Sequence, residues 1–159
     1  MNGSDSQRLA LASFLQLERN ARHAESVDAL LFLAVNETRR LLDYDQALLV
    51  VTEPRRPRVE VISGTALVER DAPVVLWVET FAASLDFGGE GPGEVDGTER
   101  RESLRPDTEA LGEAGLRWGW PALLVLALRG PDGRVRGQLW LRRERPWNDG
   151  EIALGERLV

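Results

Sequence analysis

The sequence of 159 residues contains no cysteine and no lysine, and it has a single histidine, His23. Without cysteine the chain cannot form disulfides, ligate an iron–sulfur cluster, hold a cysteine-type zinc site or use a thiolate nucleophile. The lone histidine has no second imidazole with which to share a metal, and the sequence displays no partner for it in acid–base catalysis. The sequence therefore predicts no metal site and no cofactor, and it places His23 on the surface.

Positive charge and long apolar runs are also scarce. Twenty arginines face 26 acidic residues, which gives a formal charge of −6. Such a chain repels the phosphates of nucleic acids and the headgroups of anionic bilayers. No apolar run approaches the roughly 20 residues of a membrane-spanning helix, and the first residues lack the basic start and apolar core of a secretion signal. We therefore expect no nucleic-acid partner, no membrane insertion by this segment and a cytoplasmic location.

Apolar residues at three- and four-residue spacing predict three helices in the first half of the chain. The first covers residues 7–20. The second follows Ser26, a candidate N-cap, and its apolar stripe continues to Leu42. The third begins at Pro73, because proline is favoured in the first helical turn, and Asp71 precedes it as a candidate cap.

Strands are predicted from a different pattern. Residues 47–51 and 121–128 are short, bounded apolar runs, which are typical of strands covered on both faces. The prolines before residues 58–61 cannot continue a ladder, so that segment is the second strand of a hairpin. Residues 130–133 read Gly-Pro-Asp-Gly, the chemistry of a tight turn, and they lead into a strand over residues 134–142.

Side chains alternate along this last predicted strand. The odd-numbered positions from 135 to 141 carry valine, glycine and leucine, so that face is expected to enter the core. The even-numbered positions from 134 to 142 carry arginine, glutamine and tryptophan, so the opposite face is expected to be amphipathic.

The chain has the size and the 43% hydrophobic content of one domain over residues 1–159. Its N-terminal helix and a linker occupy residues 1–25. Residues 86–108 are rich in glycine and mixed charges, which predicts a flexible loop. Near the end, Asn148 and Glu151 have the spacing of a capping box. We expect the helix that they start to be truncated at residue 159.

The order of these elements and a series of short motifs resemble a GAF domain. The motifs are a proline-led strand at residues 121–125, the turn at 130–133, Gly-Gln-Leu-Trp-Leu at 137–141 and Arg-Pro-Trp-Asn-Asp-Gly-Glu at 145–151. The resemblance implies an α/β (α+β) fold with a central, mainly antiparallel sheet and helices on both faces. It also implies a role in signalling and regulation. Because the sequence offers no nucleophile, base or metal set at recognisable spacing, we expect that the chain is not an enzyme.

Residues that the chain lacks exclude some activities of GAF domains, and a narrower resemblance suggests the kind of protein to which the domain belongs. Bilin-binding members and free-methionine-sulfoxide reductases need cysteines, which are missing here. Cyclic-nucleotide-binding members carry a motif that includes lysine, so that activity is not supported. Residues 34–47 and 64–73 resemble the GAF-like N-terminal regions of bacterial haemolysin-D-type membrane-fusion efflux adaptors. This narrower resemblance implies a domain on the cytoplasmic side of an inner-membrane protein.

Tryptophans mark the candidate binding site. In a GAF fold, the strands that carry Trp118, Trp120 and Trp140 border the ligand cavity, and the helix that carries Trp77 could form one wall. Two polar side chains share the Trp140 face of their strand, and they are Arg136 and Gln138. Aromatic walls with a few polar groups suit a planar or apolar small molecule. Alternatively, the tryptophans simply fill the core, since indoles are large side chains.

Four carboxylates stand near predicted strand–helix junctions, and they are Asp43, Asp45, Asp71 and Glu79. Aspartates at such places serve as caps and turn residues more often than as acid–base pairs. The pairs of neighbouring arginines, such as the one at residues 142–143, could bind anions, but ion pairs with the many acidic residues are the expected role.

These observations leave two functional hypotheses. The first is a non-catalytic sensory or regulatory domain of a larger protein that binds a small-molecule ligand. The alternative is a degenerate GAF fold with a filled interior that acts only as a dimerisation or protein-docking module. Leucines of the first helix could pack on the sheet or meet a second copy, and by analogy with GAF domains we expect a homodimer.

Overall fold

Five strands form one antiparallel sheet in the computed structural model, which describes residues 3–52, 56–88, 100–106, 108–118, 120 and 122–159. The strands are β1 (Gln46–Val51), β2 (Arg58–Ile62), β3 (Ser103–Leu104), β4 (Ala122–Arg129) and β5 (Val135–Arg143). Their spatial order is β2-β1-β5-β4-β3, and each neighbouring pair is antiparallel. The predicted antiparallel sheet is therefore confirmed.

The helices are α1 (Gly3–Arg22), α2 (Val27–Asn36), α3 (Pro73–Ala82), α4 (Thr108–Arg117) and α5 (Asp149–Glu156). A short 3₁₀ turn at Thr38–Arg40 follows α2. None of the helices in the described ranges is long and apolar enough to cross a bilayer. The α4 helix was not predicted, and Gly112 interrupts it with a φ of 56°.

Both faces of the sheet are covered by helices, as the sequence predicts for β1 and β4. On one face, Leu48 and Val125 belong to a buried cluster that includes Val75 and Val78 of α3. On the other face, Leu49 and Leu124 share a second buried cluster with residues of α2 and α5; those residues are Val35 and Ile152. Because the strand alternation sends neighbouring side chains to opposite faces, β1 and β4 contribute to both clusters.

The even-numbered face of β5 differs from the amphipathic face that we expected. Gln138 and Trp140 are buried on this face, because α3 packs over the middle of the strand. Arg134 and Arg136 near the turn are exposed. Polar residues at the strand ends therefore flank a buried centre. On the odd-numbered face, a Cβ at Gly137 would lie 2.9 Å from the Val50 carbonyl oxygen, so β1 and β5 approach too closely there for another residue.

The second helix ends earlier than its apolar stripe predicts. Ser26 caps its start, with Oγ accepting from the Ala29 N–H at 3.1 Å. At the other end, the Thr38 hydroxyl lies 2.6 Å from the Ala34 carbonyl oxygen and the Tyr44 hydroxyl donates to the Val35 carbonyl at 2.8 Å. Side-chain hydroxyls thus hydrogen-bond to carbonyl oxygens of the last turn. They compete there with the backbone N–H groups that would continue the helix towards Leu42.

The predictions for the other two helix starts have opposite outcomes. Ala72, and not Asp71, is the N-cap residue of α3, with no side-chain cap bond, so that prediction was wrong. The fixed φ of Pro73 supports this start instead. The capping box of α5 is confirmed, since Asn148 and Glu151 exchange side-chain-to-backbone hydrogen bonds of 2.9 and 3.1 Å. The α5 helix ends at Glu156, whereas we expected it to run to residue 159.

The predicted loop over residues 86–108 is ordered at both described ends, and residues 89–99 lie outside the described part. Phe87 is buried, and Ser103–Leu104 pairs with β4. The buried Arg129 side chain joins the two ends, because Nη2 donates to the Phe87 and Arg101 carbonyls at 3.1 and 3.0 Å. Nε of the same side chain donates to Glu102 at 3.1 Å. This arginine, remote in sequence, holds the ends of the segment against β4.

Candidate functional site

Four of the five tryptophans meet on the α3 side of the sheet. Trp77 and Phe81 lie on one face of α3 and stack with ring centroids 5.1 Å apart. Trp118 directly follows α4, and its ring centroid lies 5.3 Å from that of Trp77. Trp120 and Trp140 lie 6.1 Å apart in an edge-to-face arrangement, and each also makes an edge contact with Trp77. We call these five residues the tryptophan cluster.

The cluster has a buried base and a partly exposed edge. Trp140 is fully buried and Trp120 is nearly so, whereas Trp77, Phe81 and Trp118 retain partial exposure. The observed centroid separations are in the range that aromatic pairs prefer, so the rings contact one another directly. The buried base therefore serves packing, and the edge offers aromatic surface to solvent.

Gln138 provides the polar contacts beneath the cluster. Its Oε1 accepts from Trp140 Nε1 at 2.9 Å, and its Nε2 donates to the Ala82 carbonyl at 3.1 Å. That carbonyl belongs to the last residue of α3, where backbone acceptors lack helical partners. One glutamine thus satisfies both an indole and a helix end, which explains how an amide can be buried here at low cost.

The structure does not bring Arg136 to the cluster. Its guanidinium is about half exposed and pairs with Asp132 in the tight turn between β4 and β5, at 2.6 Å. The turn carboxylate attracts the side chain, so this predicted site residue lies near the turn. The other five predicted residues, which are Trp77, Trp118, Trp120, Gln138 and Trp140, do come together.

Arg142 occupies the place that the sequence assigned to Arg136. Its guanidinium carbon lies 5.9 Å from the Trp120 ring centre, and its Nη1 donates to the Trp118 carbonyl at 3.1 Å. Arg117 lies with its guanidinium carbon 5.8 Å from the Trp118 ring centre. The signal for Arg142 was present, since it stands two residues after Trp140 and shares its strand face. Alternation alone could not tell which end of the strand meets the cluster.

The neighbouring Arg143 points to the opposite face of the sheet and has a different role. All of its N–H groups are used: Nε donates to the Arg145 carbonyl, Nη1 to the Asp43 carbonyl and Glu151 Oε1, and Nη2 to the Pro146 carbonyl and Glu151 Oε2. These bonds hold the pKa of Glu151 at about 2, with the hydrogen bonds from Arg143 as the largest cause. Arg143 therefore joins β5 to the start of α5.

Trp147, the aromatic residue of the motif at residues 145–151, also contacts Arg143. The guanidinium carbon of Arg143 lies 3.7 Å from the Trp147 ring centre, a cation–π geometry. Trp147 and Ile152 belong to the same buried cluster. The sequence Arg-Pro-Trp-Asn-Asp-Gly-Glu over residues 145–151 is thus explained by packing and capping on the face away from the tryptophan cluster.

Three of the four carboxylates noted in the sequence have structural partners. Asp43 pairs with Arg145 at 3.0 Å, Asp45 accepts from the Glu144 N–H at 3.1 Å, and Glu79 accepts from the Val59 N–H at 3.0 Å. Within the described ranges, no three histidine, aspartate or glutamate side chains are grouped so that they could hold a metal ion.

His23 is exposed beyond the last turn of α1, and its Nδ1 lies 2.8 Å from the Arg19 carbonyl oxygen. The structure thus places this side chain on the surface, as the sequence predicts. Its one described contact is with the backbone of its own helix.

Comparison with solved structures assigns the chain a GAF fold. The GAF domain of a phosphoenolpyruvate-protein phosphotransferase from Coxiella burnetii matches 95% of this chain and 88% of its own, with a TM-score of 0.60 and 14% identity. The GAF domain of a candidate sensor histidine kinase from Pseudomonas syringae pv. tomato matches 98% and 83%, with a TM-score of 0.56 and 15% identity.

A third structure, JSC1_58120g3 in its far-red absorbing dark state with bound biliverdin IXa, matches 92% of both chains, with a TM-score of 0.55 and 14% identity. The sequence itself matches no protein-family profile and no curated protein. At such identities the likeness is one of fold, and it confirms the architecture that the short motifs predicted.

Proposed function

We propose that this chain is a non-catalytic sensory or regulatory domain that binds a small planar molecule at the exposed edge of its tryptophan cluster. The observation that carries the proposal is the partial exposure of Trp77 and Trp118 beside fully packed aromatic rings. Flat aromatic surface gains free energy both from burial and from stacking on another ring system. A planar ligand can therefore be held there without a covalent bond.

The structural comparisons support the same proposal. One similar structure holds biliverdin, and another is the GAF domain of a candidate sensor histidine kinase. Because the present chain has no cysteine, a ligand would be bound without a thioether link. The non-catalytic part of the proposal is supported by the carboxylates at residues 43, 45 and 79, which are engaged in backbone and ion-pair contacts.

Native mass spectrometry of the purified protein tests this proposal directly. We expect extra mass under native conditions that disappears on denaturation, and we expect Trp118→Ala to reduce the ligand-bound fraction several-fold because it removes part of the stacking surface. The matched control is Trp147→Phe, which alters an aromatic residue on the other face of the sheet. Equal occupancy in the wild type and Trp118→Ala would place the ligand elsewhere. Wild-type protein without bound mass would contradict the binding of a small molecule from the cells that produced it.

A second candidate function, assembly of a homodimer, is favoured by the surface of α1 and α2. Leu11 and Leu15 of α1 are 59% and 54% exposed, and they are separated by one helical turn. Val27 and Phe32 of α2 are also largely exposed. Large apolar side chains exposed on two helices that contact each other often mark an interface. We infer that these two helices contact a second copy, which is the docking role of the alternative hypothesis.

The double variant Leu11→Gln, Leu15→Gln is expected to weaken such a dimer. Full burial of a leucine contributes about 1.5–3 kcal/mol, and about half of that is available here because Leu11 and Leu15 are only about half exposed. Loss of two leucines on each subunit would therefore raise the dissociation constant by at least about 100-fold. Sedimentation equilibrium measures this constant. The control is Leu67→Gln, which alters a leucine that is 82% exposed in the segment before α3. A wild-type protein that remains monomeric at high concentration would contradict the dimer.

The wider setting is also part of the proposal. We infer that the domain lies on the cytoplasmic side and regulates a larger protein, such as a membrane-fusion efflux adaptor. The support is the likeness of residues 34–47 and 64–73 to such adaptors. A dimer that binds no ligand would favour the docking function, and a monomer that binds one would favour the sensory function.

A further inference from the structure

We propose that the ligand of the tryptophan cluster carries an anionic group, and that the guanidinium of Arg142 holds this group with help from Arg117. The inference rests on the proposed ligand-binding function and specifies the chemical class of the ligand: a planar aromatic acid. Its carboxylate, sulfonate or phosphate would lie at the end of β5, and its ring would lie against Trp118.

The position of Arg142 is the first step of the argument. The side chain leaves β5 on the face of Gln138 and Trp140, and it is partly buried against the Trp120 ring, 5.9 Å from its centre. Its Nη1 is directed by the Trp118 carbonyl at 3.1 Å. A guanidinium stays protonated in proteins and offers its N–H donors in a rigid plane. The aromatic wall and the carbonyl therefore orient a permanent positive charge at the cluster.

Arg117 adds a second cation from another element. It is the last residue of α4 and exposed, with its guanidinium carbon 5.8 Å from the Trp118 ring centre. Trp118 thus has one guanidinium beside its ring and another bound to its carbonyl. Two cations next to a partly exposed indole attract an anion, and the reduced hydration beside aromatic surface strengthens that attraction relative to open water. A neutral planar ligand would gain only from stacking and not from the two charges, and a cationic one would be repelled by them.

Two dyes that differ in a single sulfonate test the inference. The probes are 8-anilinonaphthalene-1-sulfonate and its uncharged analogue N-phenyl-1-naphthylamine, titrated by fluorescence. The protein carries Leu11→Gln and Leu15→Gln, so that the exposed leucines of α1 do not bind dye. We expect the sulfonate to bind about tenfold more tightly, which is the scale of one charge-assisted contact. Arg142→Gln should abolish this preference, and Arg142→Lys should keep part of it.

Arg136→Gln is the matched control, because it removes the same charge from the same strand face about 20 Å away. It should leave the sulfonate preference unchanged, and Arg117→Gln should reduce it by a smaller factor than Arg142→Gln. Near-ultraviolet circular dichroism checks that each variant keeps the packed tryptophans. Equal affinity of the two dyes for the unsubstituted cluster overturns the anionic ligand and leaves the binding function standing. Binding of neither dye overturns both, and loss of the preference in Arg136→Gln shows that Arg142 is not the anchor.

Discussion

Replacing Trp140 by alanine is expected to lower the free energy of unfolding by about 3–5 kcal/mol, the usual cost of removing a buried tryptophan. Trp140 is fully buried at the base of the tryptophan cluster, where its ring contacts those of Trp77, Phe81 and Trp120. The substitution also leaves the side-chain amide oxygen of Gln138, Oε1, without its indole donor. Guanidinium chloride denaturation followed by far-ultraviolet circular dichroism measures the change.

The control for this prediction is Trp118→Ala at the partly exposed edge of the same cluster. Because Trp118 is only partly buried, its removal exposes less apolar surface to water, and we expect the free energy of unfolding to fall by about 1–2 kcal/mol. Trp140→Phe separates packing from hydrogen bonding, since it keeps most of the ring and removes the donor. A loss below about 1 kcal/mol for Trp140→Ala would mean that the cluster is loosely packed. The interior would then be able to rearrange around a ligand, contrary to the packed base described above.

Arg143→Met is expected to lower the free energy of unfolding by about 3 kcal/mol. Breaking a buried ion pair by removal of one partner costs about 3–5 kcal/mol, and the lower end applies because Glu151 retains some exposure. The variant also loses the three backbone contacts of this guanidinium and its cation–π contact with Trp147. The control is Arg136→Met, whose solvent-exposed pair with Asp132 should contribute far less to stability. Equal losses would contradict a special role for Arg143.

The same ion pair predicts how stability depends on pH. The pKa of Glu151 is about 2 in the folded protein, against an ordinary value of 4.5. As pH falls below about 4.5 the unfolded chain takes up a proton at this carboxylate, while the folded chain does so only near pH 2. The stabilisation is therefore complete above pH 4.5 and is lost between about pH 4.5 and 2. In Arg143→Met this part of the pH dependence should flatten, as denaturation at pH 7, 4.5 and 3 would reveal.

Local chemistry was sufficient to predict many elements of this fold. Ser26 and the Asn148–Glu151 box cap helices through bonds that span three residues, so their spacing in the sequence is enough to recognise them. The apolar runs of β1 and β4 indicated burial on both faces, because only a sheet covered twice needs continuous apolar side chains. The series of short motifs then indicated the GAF fold, and the likeness to solved GAF domains confirms it.

The composition of the candidate site was also largely determined by the sequence. The tryptophans at residues 77, 118, 120 and 140 and the amide of Gln138 were grouped from their positions on predicted elements, and the structure brings them together. Strand alternation placed Arg142 on the same face as Gln138, but it gave equal weight to Arg136. A pattern of period two contains no information about where a covering helix begins and ends.

Contacts between residues distant in sequence decided the rest. Thr38 and Tyr44 hydroxyls end α2 at Asn36, although the apolar stripe continues beyond it. Arg129 joins Phe87 to Arg101 and orders the ends of a segment whose composition predicted only a loop. Asp132 holds Arg136 at the turn, while the Trp118 carbonyl directs Arg142 to the cluster. The sequence thus determined most of the helices and strands and the double burial of β1 and β4, because propensity and periodicity are local. Only the tertiary structure decided where the elements stop and which charge meets the tryptophans, because those outcomes depend on partners that folding brings together.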